Sequence, residues 1–305
     1  MMWRKIGNVY SPKADDCYTH AMFPEVECID ESAGRIRIYY THRDSNNYGF
    51  PTFLDAEISG EKFTIIYNHH DSIIDKGDIG NFDDSGVNIT SVIQIDGKRR
   101  FYYYGWNLGV TVPFRNSIGV AEAEGDEHDL HLERVFPGPI LDRAPNYPGL
   151  CATPCVIRVG DGYRMYFTQG TPWIMKKGQP HVACHIAYAD SKDGLVWHRS
   201  DKAAVENLDT DHVITTPFVV QDEGVYKMWY SYRGSKYRIG YAESIDGRSF
   251  QRKDAEAGIT VSERGWDSEM VCYPKVFKLK GMWYMIYCGN DYARTGFGLA
   301  ILEES

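Results

Sequence analysis

Three observations predict an all-β fold. Short runs that alternate apolar and polar residues fill the chain, and they are rich in β-branched and aromatic types, with 22 Tyr, 13 Phe and 7 Trp among 305 residues. Such residues favour pleated, half-buried strands. Gly-containing turns separate the runs at short intervals, as in antiparallel hairpins. Finally, one hairpin recurs: "YRIGYAESIDGRSFQRK" from Tyr237, "HIAYADSKDGLVWHRS" from His185 and, more loosely, "SIGVAEAEGDEHDLHLERV" from Ser117.

An inner hairpin precedes each of these. "PCVIRVGDGYRMYFTQG", "PFVVQDEGVYKMWYSYRG" and "PKVFKLKGMWYMIYCGND" begin at Pro154, Pro217 and Pro274, 63 and 57 residues apart. "ITSVIQIDGKRRFYYYGW" from Ile89 and "PEVECIDESAGRIRIYYTHRD" from Pro24 are earlier versions, and "FPTFLDAEISGEKFTII" from Phe50 is the diverged outer hairpin of the first unit. Each unit is thus four antiparallel strands. A four-stranded sheet cannot cover both its faces alone, so five units repeated about an axis predict a five-bladed β-propeller in one domain, residues 1–305.

The last unit ends "TGFGLAILEES", one strand short. "MWRKIG" at the N-terminus supplies it, because Trp3-Arg4-Lys5 echoes Trp197-His198-Arg199 and Phe250-Gln251-Arg252. The N-terminal strand is therefore expected to join the last blade and close the ring. In the outer hairpins, Asp-Gly forms the turn, where Gly permits positive φ, and the following Trp or Phe is expected between blades.

Composition narrows the function. A formal net charge of -9 argues against nucleic acid or an anionic membrane as partner. No apolar run approaches the roughly 20 residues of a membrane span, and "MMWRKIGNVYSP" lacks the apolar stretch of a signal peptide. Seven scattered Cys without a C-x-x-C pair read as buried thiols of a reducing, cytoplasmic compartment. On a strand the i, i+4 pair His181 and His185 shares a face but lies too far apart to chelate well, so neither metal nor other cofactor is expected, an ion at the axis beside His20 being the one alternative.

Strand direction sends the approaches to the innermost strands and the loops after the second strands to one face. Those segments are the long, chemically loaded ones. They carry His20, Arg43, Asp44, Asp83, Asp84, Trp106, Arg115, Trp173, Asp211, Arg233, Asp267, Glu269, Asn290, Asp291 and Arg294. Carboxylates and amides suit sugar hydroxyls, and aromatic planes such as Trp106 and Trp173 suit a sugar's C–H face. Arg43, Arg115, Arg233 and Arg294 could hold a phosphate or carboxylate, or pair with the neighbouring acids.

The unit with "AESIDGRSFQR" and "ADSKDGLVWHR" resembles the five-bladed propeller glycosidases, the clan of arabinanases, β-xylosidases, invertases and mannoside phosphorylases. "NFDDSGV", "YYYGW", "YRIGYAES" and "GWDSEMVCYPKV" are similar to relatives of that clan associated with surface-polysaccharide biosynthesis. The resemblance implies acid–base carboxylates just ahead of the innermost strands. By position these are Asp83 and Asp84, Asp211, and Asp267 and Glu269; the first unit offers His20 and the third, "NYPGL", no carboxylate. What is implied is a carbohydrate-active enzyme cleaving or transferring a glycosidic bond, with inversion the expected outcome for acids spread around an axis. The vacant acidic positions keep a non-catalytic glycan-binding or assembly protein as the rival. An oligosaccharide, a sugar phosphate or a nucleotide-sugar is the expected partner.

Overall fold

The computed structural model describes residues 1–13, 18–125, 127–208 and 213–303. After β1 (Trp3–Tyr10), four strands form an antiparallel sheet in sequence order: β2 (Thr19–Asp30), β3 (Arg35–Arg43), β4 (Gly49–Ser59) and β5 (Lys62–Asn68). The next sheet repeats the order with β6 (Val87–Ile95), β7 (Lys98–Leu108), β8 (Phe114–Glu124) and β9 (His131–Arg134). β10 (Cys151–Val159) and β11 (Gly162–Gly170) follow, then a small hairpin of β12 (Ile174–Lys176) and β13 (Gln179–His181), then β14 (Cys184–Ser191) and β15 (His198–Val205). β16 (Val213–Asp222), β17 (Val225–Arg233), β18 (Tyr237–Ser244) and β19 (Gln251–Arg252) complete another such set. One parallel bridge, Cys184 to Val213, joins it to the set before. β20 (Cys272–Leu279), β21 (Met282–Cys288) and β22 (Phe297–Leu302) end the chain.

The sheet of these last three strands gains its fourth member from β1, antiparallel to β22 with Trp3 opposite Leu302. The expected pairing of the two chain ends is therefore present. Among the described residues, no helix is long and apolar enough to cross a membrane. The fold is all-β and propeller-like. Its central strands β3, β7, β11 and β21 are buried along most of their length, because neighbouring sheets cover both their faces.

The repeated Asp-Gly hairpin works as a latch between sheets. Gly194 N–H donates to Ser191 Oγ at 2.9 Å, and Leu195 and Val196 N–H donate to Asp193 Oδ1 at 2.8 and 2.9 Å, which fixes the turn. Its outward carbonyl then accepts from the preceding sheet, Tyr102 Oη to Gly194 O at 2.7 Å, while Arg100 donates to Asp193 O. The next turn repeats this, Tyr166 Oη to Gly247 O at 2.6 Å and Arg164 Nη1 to the same oxygen at 3.0 Å. Trp197 and Phe250 pack edge-on against those same tyrosines, with ring centroids 5.9 and 5.6 Å apart. Gly194 has φ +72°, and an added Cβ would lie 2.6 Å from Tyr102 Oη, so both backbone and space require glycine there.

The innermost strands share a second device. Phe23, Thr153, Thr216 and Tyr273 each precede a proline and take positive φ, between 48° and 54°, inside a register shift of β2, β10, β16 and β20. Left-handed geometry at aromatic and β-branched residues is strained. The strain is held by a connected layer: Thr153 Oγ1 to Thr168 Oγ1 at 2.5 Å, Thr168 Oγ1 to Thr215 Oγ1 at 2.9 Å, and Phe23 against Tyr273 at 4.2 Å between ring centroids. Two residues beyond Phe23 and Tyr273, Glu25 and Lys275 form an ion pair, 5% and 2% exposed. Lys275 also donates to Thr90 O at 2.6 Å and lies over the Phe218 ring.

Candidate functional site

A cavity of about 490 Å³ opens where the innermost strands begin and the second strands end. His20, Phe23, Ala152, Thr153, Val213, Thr215 and Tyr273 come from the starts of β2, β10, β16 and β20. Arg43, Trp106, Thr168 and Arg233 come from the ends of β3, β7, β11 and β17, and Phe114, Asn116 and Tyr237 from the starts of β8 and β18. The strained layer of Phe23, Thr153 and Tyr273 thus contributes directly to the lining.

Arg43 is the most constrained charge in this wall. It is 6% exposed, its Nε donates to Met22 Sδ at 3.3 Å, its Nη1 to Asn47 O at 2.7 Å, and its guanidinium lies 4.7 Å from the centre of the Trp106 ring. Trp106 in turn stacks on Phe114 at 4.6 Å. Its ring therefore supports Arg43 instead of offering an empty face to a sugar. Trp173, held by Nε1–H to Gly149 O at 3.2 Å and edge-on to Phe114, remains as a candidate stacking face. Arg233 lies over Tyr237 and donates to Tyr292 Oη at 3.3 Å.

His20 is neutral at pH 7. Burial first, then the positive charges of Arg43 and Arg294, lower its pKa to about 4, against an opposing pull from Asp291. Its Nδ1 lies 2.8 Å from Thr19 Oγ1, and its backbone is left-handed at φ 63°. Cys184, also in the lining, is a protonated thiol, because burial pushes it up to about 12.

Of the residues singled out in the sequence, the cavity gathers His20, Arg43, Trp106, Trp173 and Arg233. No described carboxylate lines it. Asp83 is buried and held by Arg134 Nε at 2.8 Å and Tyr103 Oη at 3.2 Å. Asp84 accepts from Gly80 N–H, Ser85 Oγ and Asn107 Nδ2 within its own loop and the adjoining strand. Asp267, 1% exposed, binds Lys5 Nζ at 2.6 Å and Tyr287 Oη at 3.0 Å, fastening β1 to its sheet. Glu269 is paired with Lys236 at 2.9 Å in an exposed ion pair. Asp44 caps its own turn through Asn46 and Tyr48 N–H.

Asn290 serves structure, accepting from Glu269 and Met270 N–H. Asp291 and Arg294 are exposed, close enough to His20 to act on it electrostatically, and Arg115 is exposed outside the lining. Asp211 lies outside the described residues.

Sequence reasoning missed Tyr104, Phe114, Asn116, Tyr237, Tyr273 and the threonines. The residue before each anchoring proline was the one local signal for this layer. Near the outer strands, Asp55, Glu127 and His128 bring ligand-type atoms within 4.8 Å of one another, but Arg37 already holds Asp55 with two hydrogen bonds of 2.6 and 2.8 Å.

No known family profile matches the chain. It is 38% identical over 310 residues to the uncharacterized protein Rv1502 of Mycobacterium tuberculosis H37Rv, covering all of both chains. Protein MT1551 of strain CDC 1551 of that species gives the same identity and coverage. Among solved structures, one of a glycoside hydrolase superposes with a TM-score of 0.76 at 17% identity, covering 99% of this chain and 92% of that one. A glycosyl hydrolase from Bacteroides ovatus gives 0.70 at 15% over 99% and 93%. A structure from a study of the GH130 family of mannoside phosphorylases, containing glycoside hydrolases that target β-1,2 mannosidic linkages in Candida mannan, gives 0.66 at 14% over 99% and 93%. At these identities the likeness is one of fold, and the fold is that of a glycoside hydrolase-like β-propeller. The chain belongs to the family of Rv1502.

Proposed function

We propose that this member of the Rv1502 family recognises a saccharide in the cavity at the head of its innermost strands. The reading takes the four-stranded sets as five blades of one domain, sealed by β1 and β22, with the cavity on the axis. One observation carries it: an aromatic wall and a polar ring of Thr, Asn and His side chains converge on a space of about 490 Å³. That combination suits the hydroxyls and C–H faces of one or a few sugar rings. Free thiols, most of them buried, support a reducing, cytoplasmic setting.

A second reading, cleavage or transfer at a glycosidic bond, is favoured by the glycoside hydrolase-like fold. Inverting hydrolysis needs two carboxyl groups about 6.5–9.5 Å apart astride the bond. Asp83, Asp84, Asp267 and Glu269 are occupied elsewhere, so recognition is the better supported function.

A thermal-shift screen of oligosaccharides, sugar phosphates and nucleotide-sugars tests the proposal. At least one should raise Tm, and Trp173→Ala should weaken its binding by about tenfold, as expected for loss of an aromatic face worth roughly 1 kcal/mol or more. Failure of every saccharide to bind would sink the proposal. Release of free sugar by the wild type, lost in Asp84→Asn or Glu269→Gln, would instead establish the second reading.

A further inference from the structure

Among the described residues, no ion pair balances the positive charge that the cavity holds. A guanidinium carries five N–H donors, and a buried cation costs several kcal/mol unless it is paired. The described partners of Arg43 are a thioether, one backbone carbonyl and the Trp106 ring, none of them anionic. Asp44, next in sequence, commits its carboxylate to its own turn. Among the described residues, Arg233 donates to Tyr292 Oη and lies over the Tyr237 face. Among the described residues, neither arginine has a carboxylate within ion-pair distance.

A second observation agrees. His20, in the same lining, is driven neutral by burial and by Arg43 and Arg294, with Asp291 the opposing carboxylate and His42 a further positive influence. Among the described residues, the charges acting on His20 thus include two arginines against one carboxylate, in a chain whose formal net charge is -9. A low-dielectric wall presenting unpaired guanidinium groups is what an oxyanion needs.

We infer that the saccharide carries an oxyanion, a phosphate or a carboxylate, which docks between Arg43 and Arg233. The inference rests on the saccharide reading for the rest of the ligand, but the oxyanion site stands on the arginines alone. Trp106 and Phe114 brace Arg43, so its guanidinium is already oriented before the ligand arrives, which lowers the ordering cost of binding.

The test is calorimetric titration at constant ionic strength with inorganic phosphate, glucose 1-phosphate, glucuronate and neutral glucose oligomers, alongside NMR titration of His20. Phosphate should bind the wild type and lose at least tenfold in affinity in Arg43→Gln and in Arg233→Gln. Saturating phosphate should also raise the His20 titration midpoint, because an added negative charge favours imidazolium. Should Arg43→Gln fail to fold, Arg233→Gln, at the partly exposed end of β17, carries the comparison.

Tighter binding of glucose 1-phosphate supports the site with phosphate as its anion, and tighter binding of glucuronate supports it with carboxylate. Neutral oligomers that bind while every anion fails would overturn the oxyanion site and leave saccharide recognition standing. Phosphate binding without any saccharide would do the reverse. Anions that bind equally to wild type and both variants, with His20 unmoved, would also overturn the site.

Discussion

Removing one member of the Glu25–Lys275 pair should damage the protein more than removing both. The pair is almost fully buried beneath the cavity, and Lys275 is further tied to Thr90 O and the Phe218 ring. Burial raises the Glu25 carboxyl above the usual glutamate range even though Lys275 pulls it down, so desolvation already outweighs attraction. Glu25→Leu alone leaves an ammonium unpaired in this interior, at a cost of about 3–5 kcal/mol. With an unfolding entropy near 0.6 kcal/mol per kelvin for 305 residues, that is a fall in Tm of about 5–8 °C. Lys275→Met alone should cost a similar amount, through the stranded carboxylate. Additivity would then put the double variant at about 6–10 kcal/mol. Replacing the pair by apolar residues of similar volume removes both desolvation penalties, so the double variant should instead lie within about 1–2 kcal/mol of the wild type. Calorimetric or urea unfolding of the four proteins measures this. A double variant as unstable as the summed singles would refute the reasoning, because additivity means that Glu25 and Lys275 are not energetically coupled.

Other perturbations have equally definite outcomes. Tyr166→Phe removes only the hydroxyl that reaches Gly247 O, and Arg164 still donates to that carbonyl, so chemical unfolding should show a loss of about 1 kcal/mol. Gly194→Ala should cost more, since the methyl meets Tyr102 Oη and the backbone is held at φ +72°; retention of wild-type Tm would disprove the latch. For His20, the folded pKa of about 4 lies below its ordinary value of 6.5, so the unfolded chain binds more protons between these pH values. Stability should therefore rise with pH across that window, and His20→Gln should flatten the rise in Tm measured from pH 4 to 7. Asp246 acts with the same sign at lower pH: N–H donors from Arg248 and Ser249, then the Ser244 hydroxyl, lower it to about 2. Its contribution is present above the ordinary aspartate range and lost as pH falls toward 2, so Asp246→Asn should reduce the acid sensitivity of Tm below pH 4.

Much of the architecture was legible because it is local. The hairpin turns, the aromatic that follows each Asp-Gly pair and the kinship of Trp3-Arg4-Lys5 with its two echoes are all written within a few residues. The gathering of Arg43, Arg233 and Trp173 around one cavity was also legible, since strand direction alone carries strand ends and loops to one face. The pairing of Asp83 and Asp267 was not, because their partners lie far off in sequence. Asp83 is claimed by Arg134, and Asp267 by Lys5 at the other end of the chain. Nothing adjacent to either acid signals that it is already paired. The left-handed Phe23, Thr153, Thr216 and Tyr273 ran against local expectation outright, because a residue before proline prefers an extended conformation. Packing around the axis overrides that preference.

That override links scaffold to site. A strand that enters the axis without a bulge would alternate its side chains across the sheet and send only every second residue toward the centre. The left-handed step before each proline breaks the alternation, and Phe23, Thr153 and Tyr273 become wall while Glu25 and Lys275 become the layer beneath. Two of the outer hairpins meanwhile latch their sheets to the preceding one through carbonyls that no site residue needs. Substituting glycine for Thr153 separates the two roles. It relieves the left-handed backbone but removes the hydroxyl that joins Thr168 Oγ1 and Thr216 N–H. Relief of strain is worth about 1 kcal/mol, and the two hydrogen bonds lost are worth about 1 kcal/mol each, Thr216 N–H and Thr168 Oγ1 keeping one partner apiece. Thr153→Gly should therefore be destabilising despite its easier backbone, and unfolding measurements that found it more stable than the wild type would show that the strain, and not the hydroxyl network, dominates at the floor of the cavity.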